Sequence, residues 1–161
     1  MIEIPLSQGM VALIDNEDLE LIDGSSWSVS RMGNLYYAQR RYIKGQPSLM
    51  HRLITGAPKG MDVDHINHNG LDNRRSNLRI CTRSENLANL RNLKKTKASM
   101  SRFKGVDWHA ERNRWRVRIA NKHIGRFKDE IEAAKAYDRA AVAMFGEFAN
   151  TNFPIDSLMI G

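Results

Sequence analysis

Cysteine is almost missing from this chain. Cys81 stands alone, which excludes an intrachain disulfide and a cysteine-based zinc knuckle and fits a reducing compartment. Long apolar runs are missing too; none approaches the roughly 20 residues that a membrane span needs. The opening stretch MIEIPLSQGM has no basic segment ahead of an apolar core, which argues against a secretory signal. Acidic residues are scarce in one region only. Residues 74–128 hold 17 basic and 3 acidic residues, whereas residues 1–50 hold 4 and 6. A solubilising surface mixes its signs, so a neutral first third followed by a strongly basic middle points to a polyanionic partner.

What remains is ordinary for a globular protein. The chain has 161 residues, 42% of them hydrophobic, and a formal charge of +7; this length holds one domain or two small ones. Residues 2–14 read as two short strands around Gln8-Gly9. NEDLELIDG reads as a short helix capped by Asn16 and stopped by Gly24. SWSVS and LYYAQRRYI form a hairpin across Met32-Gly33-Asn34, and PSLMHRLIT is another short helix with Pro47 near its start. The polar, basic stretch at 92–102 has little to bury and reads as a linker. Beyond it RWRVRIA alternates, with Trp115, Val117 and Ile119 on one side and Arg114, Arg116 and Arg118 on the other. KHIGRFK reads as the next strand. DEIEAAKAYDRAAVAMFG is a helix with acids at its start and Gly146 after its end, alanine-rich enough to sit close to a sheet, with Tyr137 wedged between the two.

The densest polar stretch is MDVDHINHNGLDNRRSNLRICTRSENLANL, residues 61–90. Cutting a phosphodiester requires a cation to stabilise charge, a base to take a proton from water, and something to hold both in register. A hard divalent ion takes oxygen ligands, often one or two from protein. Asp64 offers a carboxylate and Asn86 an amide oxygen. His65, beside Asp64, is the natural base, its ordinary pKa being near 6.5. Arg74 and Arg75 suit phosphates. His68 reads as a loop residue or phosphate contact, His51 as helix packing or support, and Cys81 as a small packing residue.

VDHIN…LDNRRSNLRICTRSEN resembles the HNH endonucleases, especially the homing type of phages and introns. Twelve residues separate His65 from Asn77 and nine separate Asn77 from Asn86, spacings that match the family. The resemblance implies a ββα-metal fold over roughly residues 50–92, with Asp64 and His65 ending the first strand, Asn77 on the loop before the second, and Asn86 on the following helix opened by Ser84. It implies that Asp64 and Asn86 bind one divalent ion, Mg²⁺ or Mn²⁺; that His65 activates water; and that Asn77 holds the loop. The products implied are a 5′-phosphate and a 3′-hydroxyl. Many relatives carry His where this chain has Asn86, which leaves the metal preference open.

Residues 102–154 resemble the Apetala-type, or ethylene-response-factor, DNA-binding domain through FKGV, HIGRF, EAAKAYDRAAVAMFG and ANTNFP. In that family a three-stranded sheet enters the major groove and a helix braces it. By position Lys104, Arg114, Arg116, Arg118, His123 and Arg126 face DNA. Asp107 stands where plant relatives usually carry arginine and His123 where they usually carry tryptophan, so the plant target sequence does not transfer.

The expected fold class is therefore α+β: a ββα-metal (HNH) nuclease module followed by a three-stranded antiparallel sheet packed on one helix. The expected domains are residues 1–93, with a ββα core at about 50–92 and a β-rich extension at 1–49, then a basic linker at 94–101 and a DNA-binding domain at 102–154. The expected function is a metal-dependent, site-selective endonuclease that nicks double-stranded DNA as a monomer, encoded by a phage or mobile element and working in the cytoplasm of a bacterial host. Two alternatives remain open: a DNA-binding transcriptional regulator whose nuclease module is inactive, and a structured-RNA binder.

Overall fold

The computed structural model describes residues 1–41, 44–46, 48–90 and 101–155. The chain divides into two compact units, Met1–Asn86 and Leu87–Gly161. Most of the expected linker, residues 94–100, lies outside the described residues, as does Pro47.

The first unit is built from antiparallel pairs. β1 (Ile2–Pro5) pairs with β2 (Val11–Ile14), and β3 (Trp27–Met32) with β4 (Leu35–Arg40). The second hairpin turns at Gly33, whose φ of 64° suits a residue without a Cβ. Between the hairpins, α1 (Leu19–Ile22) follows a 3₁₀ turn at Asn16–Asp18. Asn16 does not cap it; its Oδ1 accepts from the N-terminal ammonium of Met1 at 2.8 Å. Then come α2 (Met50–Thr55), β5 (Asp62–His65), β6 (Leu78–Cys81) and α3 (Arg83–Asn89), whose last three residues fall in the second unit, with β5 antiparallel to β6. This is the expected ββα order. The cap of α3 is Thr82 rather than Ser84. Thr82 Oγ1 accepts from the Glu85 amide at 3.3 Å, and the Glu85 carboxylate accepts from the Thr82 amide at 2.7 Å, a reciprocal capping box.

One apolar cluster spans the first unit. Leu6, Ala12, Ile14, Ile22, Trp27 and Ala38 from the leading hairpins bury against Met50, Ile54, Val63 and Leu78. A ββα element alone offers too little apolar surface to bury; here the leading residues complete its core. They also grip the long β5–β6 connection. The Leu13 amide donates to the Leu71 carbonyl and the Asn73 amide to the Leu13 carbonyl, both at 2.8 Å. Gly70 passes so close to β4 that a Cβ there would lie 2.7 Å from the Tyr37 ring.

In the second unit, β7 (Val106–His109), β8 (Arg114–Ile119) and β9 (Lys122–Phe127) form an antiparallel sheet in the order β7-β8-β9, and α4 (Glu130–Phe145) packs on one face. Asp129 caps α4 by accepting from the Glu132 amide at 2.8 Å. Ala133, Ala134, Tyr137 and Ala141 meet Phe103, Val106, Val117 and Ile119 in a second cluster. The small alanine side chains let helix and sheet approach. Gly105 completes the fit: its φ is +72°, and a Cβ there would overlap the Tyr137 ring. The tail returns over the helix, where buried Asp138 accepts from the amides of Asn152 and Phe153 at 2.8 and 2.9 Å.

Candidate active site and nucleic-acid interface

His65 is the last residue of β5 and is 6% exposed. Its Nε2 lies 3.4 Å from Asn73 Oδ1. Asn73 Nδ2 donates to the Leu71 carbonyl at 3.1 Å, so the oxygen of that amide faces the ring, an arrangement that suits the Nε2-protonated tautomer of His65. Burial pushes the His65 pKa down, while the Asn73 bond and the charges of Asp64 and Asp72 pull it up; the balance is downward. The imidazole is therefore neutral at neutral pH, the form a general base needs. His51 stands edge-on to it with ring centroids 5.0 Å apart, and Tyr37 lies 5.8 Å away.

Asp64 is 5% exposed and pairs across the ladder with Arg79, whose Nε and Nη2 reach Asp64 Oδ2 at 2.8 and 2.7 Å. Strand alternation puts Asp62 and Asp64 on the same side of β5. Asn86, on α3, donates from Nδ2 to Asp62 Oδ2 at 2.8 Å. That bond fixes the plane of the Asn86 amide beside the face that carries Asp64. Asn86 and Arg83 together hold the Asp62 carboxyl below its ordinary pKa.

Asn77 ends the 3₁₀ turn before β6 and ties the connection together. Its Nδ2 donates to Asn67 Oδ1 at 3.0 Å and to the Asp72 carbonyl at 2.7 Å, while its Oδ1 accepts from the Asn67 amide at 3.0 Å. Both neighbouring arginines hold acids of this unit. Arg74 Nε and Nη2 reach the two oxygens of Asp72 at 2.7 and 2.6 Å. Arg75 Nη2 reaches fully buried Asp18 at 2.6 Å. Their side chains remain 37% and 47% exposed.

In the second unit, residues paired directly across strands share a face. Asp107 opposes Arg116, Arg116 opposes Arg126, and Arg118 opposes His123. Val117 and Ile119 lie beneath α4, so Arg114, Arg116, Arg118, His123 and Arg126 occupy the open face. Lys104 is placed elsewhere. Its ammonium donates to the carbonyls of Ala88 and Leu90 at 2.6 and 2.8 Å within the second unit, and burial lowers its pKa to about 8. Trp115 and Trp108 are half-buried and meet edge to face, 4.9 Å between centroids.

Residues 49–88 match the HNH endonuclease family. Protein 3.8 of Escherichia phage T7 is 34% identical over 117 residues, covering 71% of this chain and 91% of that protein. The chain belongs to the HNH endonuclease family. An HNH endonuclease of Acanthamoeba polyphaga mimivirus is 37% identical over 98 residues, which is 59% of this chain and 49% of that protein. The C-terminal region is similar to the AP2-like ethylene-responsive transcription factor PLT2 of Arabidopsis thaliana, 44% identical over 62 residues, or 35% of this chain and 11% of that protein.

HNH nucleases generally depend on a divalent metal. The donors here are hard oxygens, the Asp64 carboxylate and the Asn86 amide, which fit such an ion. Among the described residues no three His, Cys, Asp or Glu side chains form a group that could hold a metal ion; an ion held by one carboxylate and one amide would take its remaining ligands from water and phosphate. Sequence reading did not single out four residues that lie against these candidates: Tyr37, Asp62, Asn73 and Arg79; His51, read as helix packing or support, stands against the His65 ring. Asp62 had a signal, since a residue two before Asp64 on a strand shares its face. Among the described residues no helix is long and apolar enough to cross a membrane.

Proposed function

We propose that this HNH endonuclease hydrolyses phosphodiester bonds in double-stranded DNA, one strand at a time, with a divalent ion at Asp64 and Asn86 and with its C-terminal sheet selecting the site. The observation that carries the reading is a neutral His65 oriented by Asn73, next in the chain to the Asp64 carboxylate, with the Asn86 amide anchored to Asp62 two residues before Asp64.

His65, protonated at Nε2, keeps its lone pair on Nδ1 and takes a proton there from the attacking water. Asn73 holds the tautomer, and the His51 ring limits how far His65 can rotate. Asn77 keeps the 66–73 connection closed, so Asn73 stays in place. Asp64 and Asn86 would hold Mg²⁺ or Mn²⁺, which when bound stabilises negative charge on the phosphate and the leaving 3′ oxygen. Arg79 balances the Asp64 charge. The exposed portions of Arg74 and Arg75 and the arginines of the open sheet face bear on DNA, and hydrolysis leaves a 5′-phosphate and a 3′-hydroxyl. One such site per chain gives a nick.

A second reading is a DNA-binding regulator whose nuclease module is silent; the engagement of Asp64 by Arg79 favours it. Supercoiled plasmid carrying candidate sites, incubated with Mg²⁺ or Mn²⁺, separates the two. Nicked circles from wild type but not from His65→Ala, with binding retained, support the nuclease. Binding at a verified site without nicks supports the regulator.

A further inference from the structure

Asp107 is an acid on a face otherwise made of arginines. It sits directly opposite Arg116 on β8. Its Oδ2 accepts from Arg116 Nε at 3.0 Å and also from Nη2, and Arg118 Nε lies 3.6 Å from its Oδ1. A surface meant only to hold phosphates would lose affinity from a carboxylate here, since it repels the backbone it faces. The geometry of the fork gives the acid another use. With Nε and one Nη2 hydrogen engaged, the Arg116 guanidinium still presents its outer Nη1–Nη2 edge. That edge makes the paired contact with O6 and N7 of guanine. A free arginine bends to the nearest phosphate, whereas one held by a carboxylate has already given up its rotamer freedom. Leaving the acid would also strand Asp107 among DNA phosphates. The Arg116 side chain is 28% exposed and Arg118 is 55% exposed. The two cations that share this acid are therefore unequal: one is held in the sheet surface and the other extends from it.

We propose that Asp107 is a specificity-determining residue, which holds Arg116 to read one guanine in the major groove and keeps it from gripping phosphate indiscriminately. This rests on the reading of the open sheet face as the DNA-contacting surface.

The test uses the full chain in metal-free buffer and a duplex library with a randomised core. Wild type, Asp107→Ala and Arg116→Lys are each selected, and each is also titrated against one scrambled 25-base-pair duplex across a salt series. Wild type should enrich a site containing one invariant G·C pair. Asp107→Ala should lose discrimination at that pair on the order of tenfold, bind the scrambled duplex more tightly, and steepen the log–log salt slope by about 0.9, one added phosphate contact. Arg116→Lys keeps the charge and folding role but lacks the fork, and should lose the same base pair. Enrichment by wild type with discrimination unchanged in Asp107→Ala would overturn the role of Asp107 while leaving the DNA-reading sheet in place. No enrichment by wild type, with binding indifferent to Arg114→Ala and Arg118→Ala, would overturn the DNA-reading sheet and the Asp107 role together.

Discussion

Lowering the pH from 7 to 5 should destabilise the first unit through His51. This ring is 6% exposed, lies 5.6 Å from Tyr37 and 5.0 Å from His65 between centroids, and has a buried Nδ1 without a hydrogen-bond partner. Burial, then the neighbouring His65 and Arg52, lower its pKa from 6.5 to about 3. Above pH 6.5 neither the folded nor the unfolded chain holds the proton. Below it the unfolded chain takes the proton up and the folded one does not, so stability falls as pH drops toward about 3. Between pH 7 and pH 5 the loss from this one group is about 2 kcal/mol. His65 is shifted in the same direction, so the wild-type loss contains both groups, and the His51 share is the difference from His51→Phe. Urea titrations at the two pH values, followed by the indole N–H cross-peak of Trp27, report this unit, because that N–H donates to the Ile22 carbonyl at 3.1 Å. The reasoning is refuted if wild type and His51→Phe lose equal stability between pH 7 and pH 5.

Arg75→Ala should cost up to about 3 kcal/mol, because it leaves the fully buried Asp18 carboxylate without its guanidinium; a change below a few tenths of that in urea unfolding would contradict the role given to the pair. Gly105→Ala should cost more than about 2 kcal/mol, since it adds both steric overlap with Tyr137 and a strained positive φ; thermal unfolding read at the Trp115 indole measures it. Asn77→Ala should speed amide exchange at Asn67 roughly tenfold, reflecting about 1–2 kcal/mol of lost tethering; unchanged protection would mean that Asn77 does not hold the connection.

Much of the fold could be read directly because its signals are local. The alternation of RWRVRI defines the face of β8 that α4 covers, and alanines at helical spacing mark the opposing surface. The order of β5, β6 and α3 came from the family resemblance that Asp64, His65, Asn77 and Asn86 carry, a linear pattern. What stayed hidden depends on contacts between distant parts of the chain. Asp18 lies 57 residues from Arg75, so nothing near the basic pair shows that it grips a buried acid rather than standing free for phosphate. Asn73 reaches His65 only because the Leu13 backbone pins the connection, and no periodicity encodes that. Tyr37 and His51 come from two other elements and meet at His65 through packing alone. Lys104 looked like another surface cation; its stem is long enough to turn back to the Ala88 and Leu90 carbonyls.

The central claim is that the carboxylate of Asp64 and the amide of Asn86 share one divalent ion beside His65. A crystal of His65→Ala with Mn²⁺ and a duplex selected by the wild-type chain tests it most directly through the anomalous signal of the metal. The account predicts one strong peak with an Asp64 oxygen and Asn86 Oδ1 at about 2.0–2.2 Å. A peak held by Asp62 without Asp64, or bound DNA with Asp64 still clasped by Arg79 and no metal at either side chain, would contradict it.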